Sequence, residues 1–298
     1  MRYLLFILIW WNMSCTTKGE GDDVEPVIIK FDTYQYKNID GVSKNLLSLD
    51  VYYTSDISNK KPIVVYVHGG GWSIGDKASQ LDNKIDLFRS LNYVFVSINY
   101  RLSPFPFEID NTSRIKYPDH NIDVADALLW IYTHIGSLGG DKNKIALLGH
   151  SAGAHLVALT GTNPMFLNDV GLSLFDIKGV ACIDTESYDV DEQVKNGTNQ
   201  EMYINAFGFG ETINKEASPL FNIANGNTYP GFFIAKRGAA GRIAYADEFI
   251  DTLKSKGVSV SEVDGSIYDH AGINNAIGDY GETLVTDPLI QFFAKCFE

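Results

Sequence analysis

Cysteine is scarce in this chain, and so is positive charge. Three cysteines in 298 residues, Cys15, Cys182 and Cys296, are too few and too scattered for a disulfide framework or a four-ligand zinc site. Lys and Arg number 24 against 37 Asp and Glu, a net charge of −13. No basic run occurs, which excludes a nucleic-acid surface, because phosphate binding needs clustered cations that release counterions. There is no Gly-Lys-Ser/Thr after a glycine-rich loop, so a Walker-type phosphate site is excluded, and no G-x-G-x-x-G opens a helix. Neither an internal repeat nor a low-complexity linker is present. What is abundant is apolar residue, 45 % of the chain, enough to bury the core of one large domain.

The N-terminus stands apart. "MRYLLFILIWWNMSC" carries one basic residue, Arg2, then an apolar run from Tyr3 to Trp11, then small or polar residues up to Cys15. That outline is a secretory signal, too short to span a bilayer as a mature helix. With Cys15 closing it and the polar "TTKGEGDDVEP" following, it resembles a bacterial lipoprotein signal, although Asn12 stands where such signals usually have Leu. The expected organisation is a signal over residues 1–15, a polar spacer over 16–26 and one domain over 27–298. The expected location is outside the cytoplasm, in the periplasm or held at a membrane through a lipid on Cys15.

Beyond the spacer, "VIIKFDTYQYK" and "LLSLDVYY" alternate apolar and polar side chains, predicting an antiparallel pair of half-exposed strands. Short apolar runs follow at 63–67, 93–98, 144–149, 179–183, 231–235 and 258–263, as strands covered on both faces require. Between them, "KASQLDNKIDLFRSL" places Leu81, Ile85 and Phe88 on one helical face, and "HNIDVADALLWIYTHI" does so with Val124, Leu128 and Ile131. "AAGRIAYADEFIDTLKSKG" reads as a helix stopped at Gly257. Strand and helix in alternation predict an α/β fold: a mostly parallel eight-stranded sheet with helices on both faces. Residues 101–118 form a proline-broken loop. Residues 185–228 read as a lid-like insertion between the sixth and seventh strands, on the sheet edge where such folds bind ligands.

Two stretches carry chemistry. "KIALLGHSAGAHL" places Ser151 where a buried strand turns into a helix, with Gly149 and Gly153 two residues to either side. A nucleophile elbow needs this setting, since the serine backbone is strained and the helix N-terminus faces developing negative charge. "YVHGGGWSIGD" follows another buried strand, and its bare backbone lets the N–H groups of Gly70 and Gly71 converge on an oxyanion.

Together, His68 to Trp72 and Gly149 to Gly153 resemble the α/β-hydrolase superfamily, in particular its esterase and lipase group with an HGGGW oxyanion loop. "SINYRLSP", the helix leading into the elbow and "ASPL" agree with that group, so the similarity covers roughly residues 45–275. The resemblance implies a serine hydrolase acting on carboxylic esters, acetyl-esterase-like, with small-molecule or glycan-linked esters as substrates. It implies Ser151 as nucleophile, Gly70, Gly71 and Ala152 as the oxyanion hole, and no metal or organic cofactor.

A serine hydroxyl needs a base. Of six histidines, His270 lies just after the last strand, where the superfamily order of Ser, acid and His puts it. The acid is less plain: Gly241 occupies the place where this group has Asp. Asp184, at the end of the "GVACID" strand, is the favoured carboxylate, an arrangement that resembles pancreatic-type lipases. Asp247 is the alternative, though six residues along a helix is about 10 Å from its start, and Glu186 or Asp189 are further candidates. Trp72, Phe105, Phe107 and Tyr188 are expected at the substrate entrance. Amide hydrolysis of the formamidase or peptidase kind is the competing activity, and a domain that binds ligands without turnover is the competing class.

Overall fold

In a computed structural model, residues 29–298 are described. The signal and spacer expected over residues 1–26, with Cys15, lie outside them. The elements in chain order are β1 (Ile29–Gln35), β2 (Ser48–Thr54), β3 (Lys61–Val67), α1 (Asp82–Ser90), β4 (Val94–Ile98), α2 (Asp119–His134), β5 (Gly140–His150), α3 (Ala152–Thr162), α4 (Pro164–Asp169), β6 (Ile177–Ile183), α5 (Val190–Asn196), α6 (Gln200–Phe207), α7 (Glu211–Glu216), β7 (Gly231–Lys236), α8 (Ala240–Ser255), β8 (Val260–Asp264), α9 (His270–Ala276) and α10 (Thr286–Cys296).

The eight strands form one sheet in the order β1-β2-β4-β3-β5-β6-β7-β8. β2 runs antiparallel to both β1 and β4, and the rest are parallel. The sequence accounts for this: Val64, Val65, Leu147, Leu148, Val180 and Ala181 are all fully buried, because helices cover both faces of the parallel part. The alternate residues Val65, Leu147 and Val180 pack under α2 and α3, whereas Val64, Leu148 and Ala181 pack under α1 and α10. Each large aliphatic side chain so covered contributes on the order of 1.5–3 kcal/mol. Val124, Leu128 and Ile131 are fully buried on the expected face of α2, and Gly257 ends the α8 turn at φ +77°.

One reading changes. β2 is not half-exposed: it lies between β1 and β4, so its polar face is covered too, and Asp50 is buried with Lys77 Nζ 2.9 Å away. The insertion over residues 185–228 carries α5, α6 and α7. These helices are short and held by contacts to the body of the domain. Buried Asn205 on α6 donates to Ser73 Oγ at 3.2 Å and to the Pro104 carbonyl at 3.0 Å, and accepts from the Glu108 N–H. The Arg114 guanidinium donates to the carbonyls of Ile204 and Asn205 at 2.6 and 2.8 Å. Helices this short are marginal alone and depend on such anchoring, so tertiary contacts decide them. Among the described residues no helix is long and apolar enough to cross a membrane.

Candidate active site

Ser151 sits between β5 and α3 at φ +55°, ψ −121°. For a residue with a side chain this conformation costs on the order of 1–3 kcal/mol, and it is clamped from both sides. The Ser151 N–H donates to the Ile183 carbonyl at 2.9 Å, and the His155 N–H donates to the Ser151 carbonyl at 3.2 Å. The flanking glycines are steric requirements. A Cβ on Gly149 would lie 2.3 Å from the Gly153 carbonyl oxygen, and one on Gly153 would lie 2.0 Å from the Val67 carbonyl oxygen. The turn is this tight because β3 and β5 end side by side beneath it.

The Ser151 hydroxyl lies 2.9 Å from His270 Nε2. His270 is the first residue of α9, whose cap is Asp269, the side chain accepting from the Gly272 N–H at 2.6 Å. On its other side, the His270 ring donates through Nδ1 to Asp184 Oδ2 at 2.6 Å. Asp184 follows β6 directly, at φ +50°, with its N–H donating to the Ala235 carbonyl of β7. Its carboxylate is fully buried and also paired with the guanidinium groups of Arg237 and Arg242.

The structure thus brings Ser151, His270 and Asp184 into one hydrogen-bonded line. Asp247 is not part of it: it faces away on α8 and pairs with Lys236. Glu186 pairs with Arg242, and Asp189 caps α5 by accepting from the Glu192 N–H at 3.0 Å. Gly241, at the position where the resemblance implies an acid, opens into empty space, and its neighbour Arg242 turns back onto Asp184.

The other histidines serve the packing. His120 and His155 are fully buried, hydrogen-bonded to Ser103 and to the Ala217 carbonyl, and burial lowers them to about 3 and about 4. His68 stacks on Tyr100 with ring centroids 4.6 Å apart, and burial holds it below the usual imidazole range. His150 donates through Nε2 to the His270 carbonyl at 2.9 Å. Burial, then the adjacent His270, lowers it to about 3, so it is a neutral prop that locks the start of α9. The ligand atoms of His150, Asp184 and His270 lie within 4.8 Å of one another. Two guanidinium groups already balance that carboxylate, so the donor set suits a positioned base and disfavours a further cation.

Above Ser151 opens a cavity of about 600 Å³, bordered by Gly69, Gly70, Gly71, Ala152, His270 and Met202 among others, within the range of small-molecule sites. Gly70 and Gly71 take φ +109° and +59°, and their N–H groups meet no protein acceptor among the described residues. The entrance differs from expectation. Trp72 borders the cavity but is itself buried, held edge-on by His155, Tyr203 and Phe207, so it fastens the glycine loop to the insertion. Tyr188 lies in the core, stacked on Phe249 at 3.9 Å. Phe105 is exposed, and it and Phe107 pack on each other away from the cavity wall. An aromatic residue near a strand end does not announce its side in the sequence. The walls include Ile74, Gln80, Met202, Arg237 and Arg242. The sequence signal for both arginines is "KRGAAGR", with a cation on either side of the position where the group has Asp.

Comparison with known proteins agrees with this geometry. The carboxylesterase family matches residues 14–169, which hold both the HGGGW loop and the elbow. A probable carboxylic ester hydrolase, LipM, of Mycobacterium tuberculosis is 39 % identical over 114 residues, 37 % of this chain and 24 % of that protein. The para-nitrobenzyl esterase of Bacillus subtilis is 30 % identical over 125 residues, 41 % of this chain and 26 % of its own. These matched segments make up about a quarter of each relative's length. In fold, the chain is similar to esterase B of Lactobacillus rhamnosus, with a TM-score of 0.71 at 18 % identity over 90 % of this chain and 86 % of that one. It is likewise similar to a hyperthermophilic esterase of Pyrobaculum calidifontis, with a TM-score of 0.66 at 23 % identity over 84 % and 82 %. The chain belongs to the carboxylesterase family.

Proposed function

We propose that this protein hydrolyses carboxylic esters through an acyl-enzyme, with Ser151 as nucleophile, His270 as general base and then acid, and Asp184 as the carboxylate behind it. The observation that carries this reading is the unbroken line from Ser151 Oγ to His270 Nε2 at 2.9 Å and from His270 Nδ1 to Asp184 at 2.6 Å, built on a serine with φ +55°. His270 accepts the Ser151 proton as Oγ attacks the ester carbonyl, and the imidazolium so formed is stabilised by Asp184. The N–H groups of Gly70, Gly71 and Ala152 receive the oxyanion, fixed in place before the charge develops. His270 then protonates the leaving alcohol and, in the second half-reaction, activates water.

A fluorophosphonate probe tests the reading. Wild-type protein is expected to be labelled and Ser151→Ala is not; a folded wild type that resists labelling overturns it. Turnover on p-nitrophenyl esters of increasing acyl length, set beside acetylated xylan, then identifies the acyl group and tests the glycan-linked substrate. Export with a lipid on Cys15 is part of the same proposal, resting on the N-terminal sequence. Metabolic labelling with a fatty-acid analogue is expected to mark the wild type and not Cys15→Ala.

A further inference from the structure

Two guanidinium groups hold Asp184, and they are occupied differently. Arg242 donates through Nε and Nη2 to Asp184 Oδ1 at 3.1 and 2.6 Å, again through Nη2 to the Asp184 carbonyl at 3.0 Å, and through Nη1 to Glu186. All three of its nitrogens are engaged. Arg237 donates through Nε alone, to Asp184 Oδ2. Its two terminal nitrogens meet no acceptor among the described residues, and its side chain, 16 % exposed, borders the same cavity as Ser151 and His270.

A guanidinium carries five N–H donors in a rigid plane and keeps its charge at any working pH. Four of those donors belong to the two terminal nitrogens, so Arg237 presents a flat, charged fork at the border of the cavity. A planar anion such as a carboxylate matches that fork with two parallel hydrogen bonds. The surroundings do not supply one. Asp184 is saturated by His270 and the two arginines, and Glu186 is taken by Arg242. Asp76, the other acid at the cavity, accepts from Asn45 and Asn99 at 2.7 and 3.0 Å and from the Ala78 N–H at 2.9 Å. The position of Arg237 also indicates which half of the ester it meets. His270 delivers its proton to the leaving oxygen, so the alcohol lies on the His270 side. Arg237 shares Asp184 Oδ2 with His270, which puts it beside the imidazole.

We propose that Arg237 is a specificity-determining residue that binds a carboxylate on the alcohol half of the substrate, so that the preferred substrates are acyl esters of hydroxy acids, acylated uronic acid residues among them. This rests on the ester-hydrolase reading above.

The test compares 4-acetoxybenzoate with its neutral counterpart 4-acetoxybenzamide. Wild type is expected to prefer the anionic ester at least tenfold in kcat/KM, mainly through KM, with the preference falling as salt is raised. Arg237→Gln is expected to bring the ratio close to one, and Arg237→Lys to restore part of it. A purely structural role for Arg237, through Asp184, would lower kcat on both esters alike and leave the ratio unchanged, which overturns the proposal. Should Arg237→Gln fail to fold, the wild type decides: 4-hydroxybenzoate is expected to inhibit hydrolysis of p-nitrophenyl acetate at least tenfold more strongly than 4-hydroxybenzamide, and equal inhibition overturns the proposal. Failure of the ester-hydrolase reading is distinct, since it shows as no turnover of p-nitrophenyl acetate and no fluorophosphonate labelling.

Discussion

His270 Nδ1 lies 2.6 Å from Asp184 Oδ2, and the two residues, 86 positions apart, come from the start of α9 and the end of β6. The carboxylate reaches the imidazole from the end of β6 rather than from the loop after β7. The chain after β7 supplies Arg237 and Arg242 instead, both paired with that carboxylate.

Asp184→Asn is therefore expected to lower kcat by about 10⁴, because the imidazole loses the partner that fixes its tautomer. Asp247→Asn is expected to leave kcat near wild type, its carboxylate being half-exposed and paired only with Lys236. Steady-state kinetics on p-nitrophenyl acetate, with Tm measured alongside to separate folding losses, checks both.

The elbow tolerates no extra atom. Gly153→Ala is expected to abolish folding or lower Tm by many degrees, since its Cβ would sit 2.0 Å from the Val67 carbonyl oxygen. Gly136→Ala, with nothing within 4 Å of its Cβ, is expected to be close to neutral. Thermal unfolding of the two variants makes the comparison.

Lys84 is buried without a carboxylate partner. Its ammonium donates to the Asn274 carbonyl at 2.7 Å and the Gln80 carbonyl at 3.2 Å, and burial lowers it to about 7. The unfolded chain holds this proton up to about pH 10.4. Stability is thus expected to rise with pH from about 7 upward, by at most about 1.4 kcal/mol per unit from this group, and to be flat in it below 7. Urea unfolding at pH 7, 8 and 9 is expected to show a smaller slope for Lys84→Met than for wild type.

Buried histidines act at the acid end. His120, His150 and His155 are lowered to about 3, 3 and 4 by burial, so the unfolded chain binds their protons first. Their contribution is complete above about pH 6.5 and is lost as pH falls through 6 toward 4. The slope of unfolding free energy against pH between 6 and 4 is expected to be shallower in His120→Gln by at most about 1.4 kcal/mol per unit.

The α6 segment is pinned rather than free. Asn205→Leu is expected to cost about 1–3 kcal/mol, because the Glu108 N–H and Ser73 Oγ lose their buried partner. Chemical denaturation measures the loss. Limited proteolysis is expected to cut within residues 185–228 faster in the variant.

Much of this molecule is local, and local patterns are legible in a sequence. The apolar runs of β3 to β7 identify themselves because a strand covered on both faces admits little else, and Gly149 and Gly153 mark the elbow because no other residue fits there. The same reasoning carried Ser151, His270 and the favoured Asp184 to positions that lie together in space. What the amino-acid order leaves open is which side chains share a wall once the strands are side by side. Tyr188 and Phe105 carry the right chemistry for an entrance, yet one turns into the core and the other into solvent. The burial of Asp50 against Lys77, the three short helices after β6, and the meeting of Arg237 and Arg242 on Asp184 depend on contacts between residues tens of positions apart. No periodicity encodes such contacts. The packing of β6 beside β7 brings about the last of them, because it places both arginines within reach of one carboxylate.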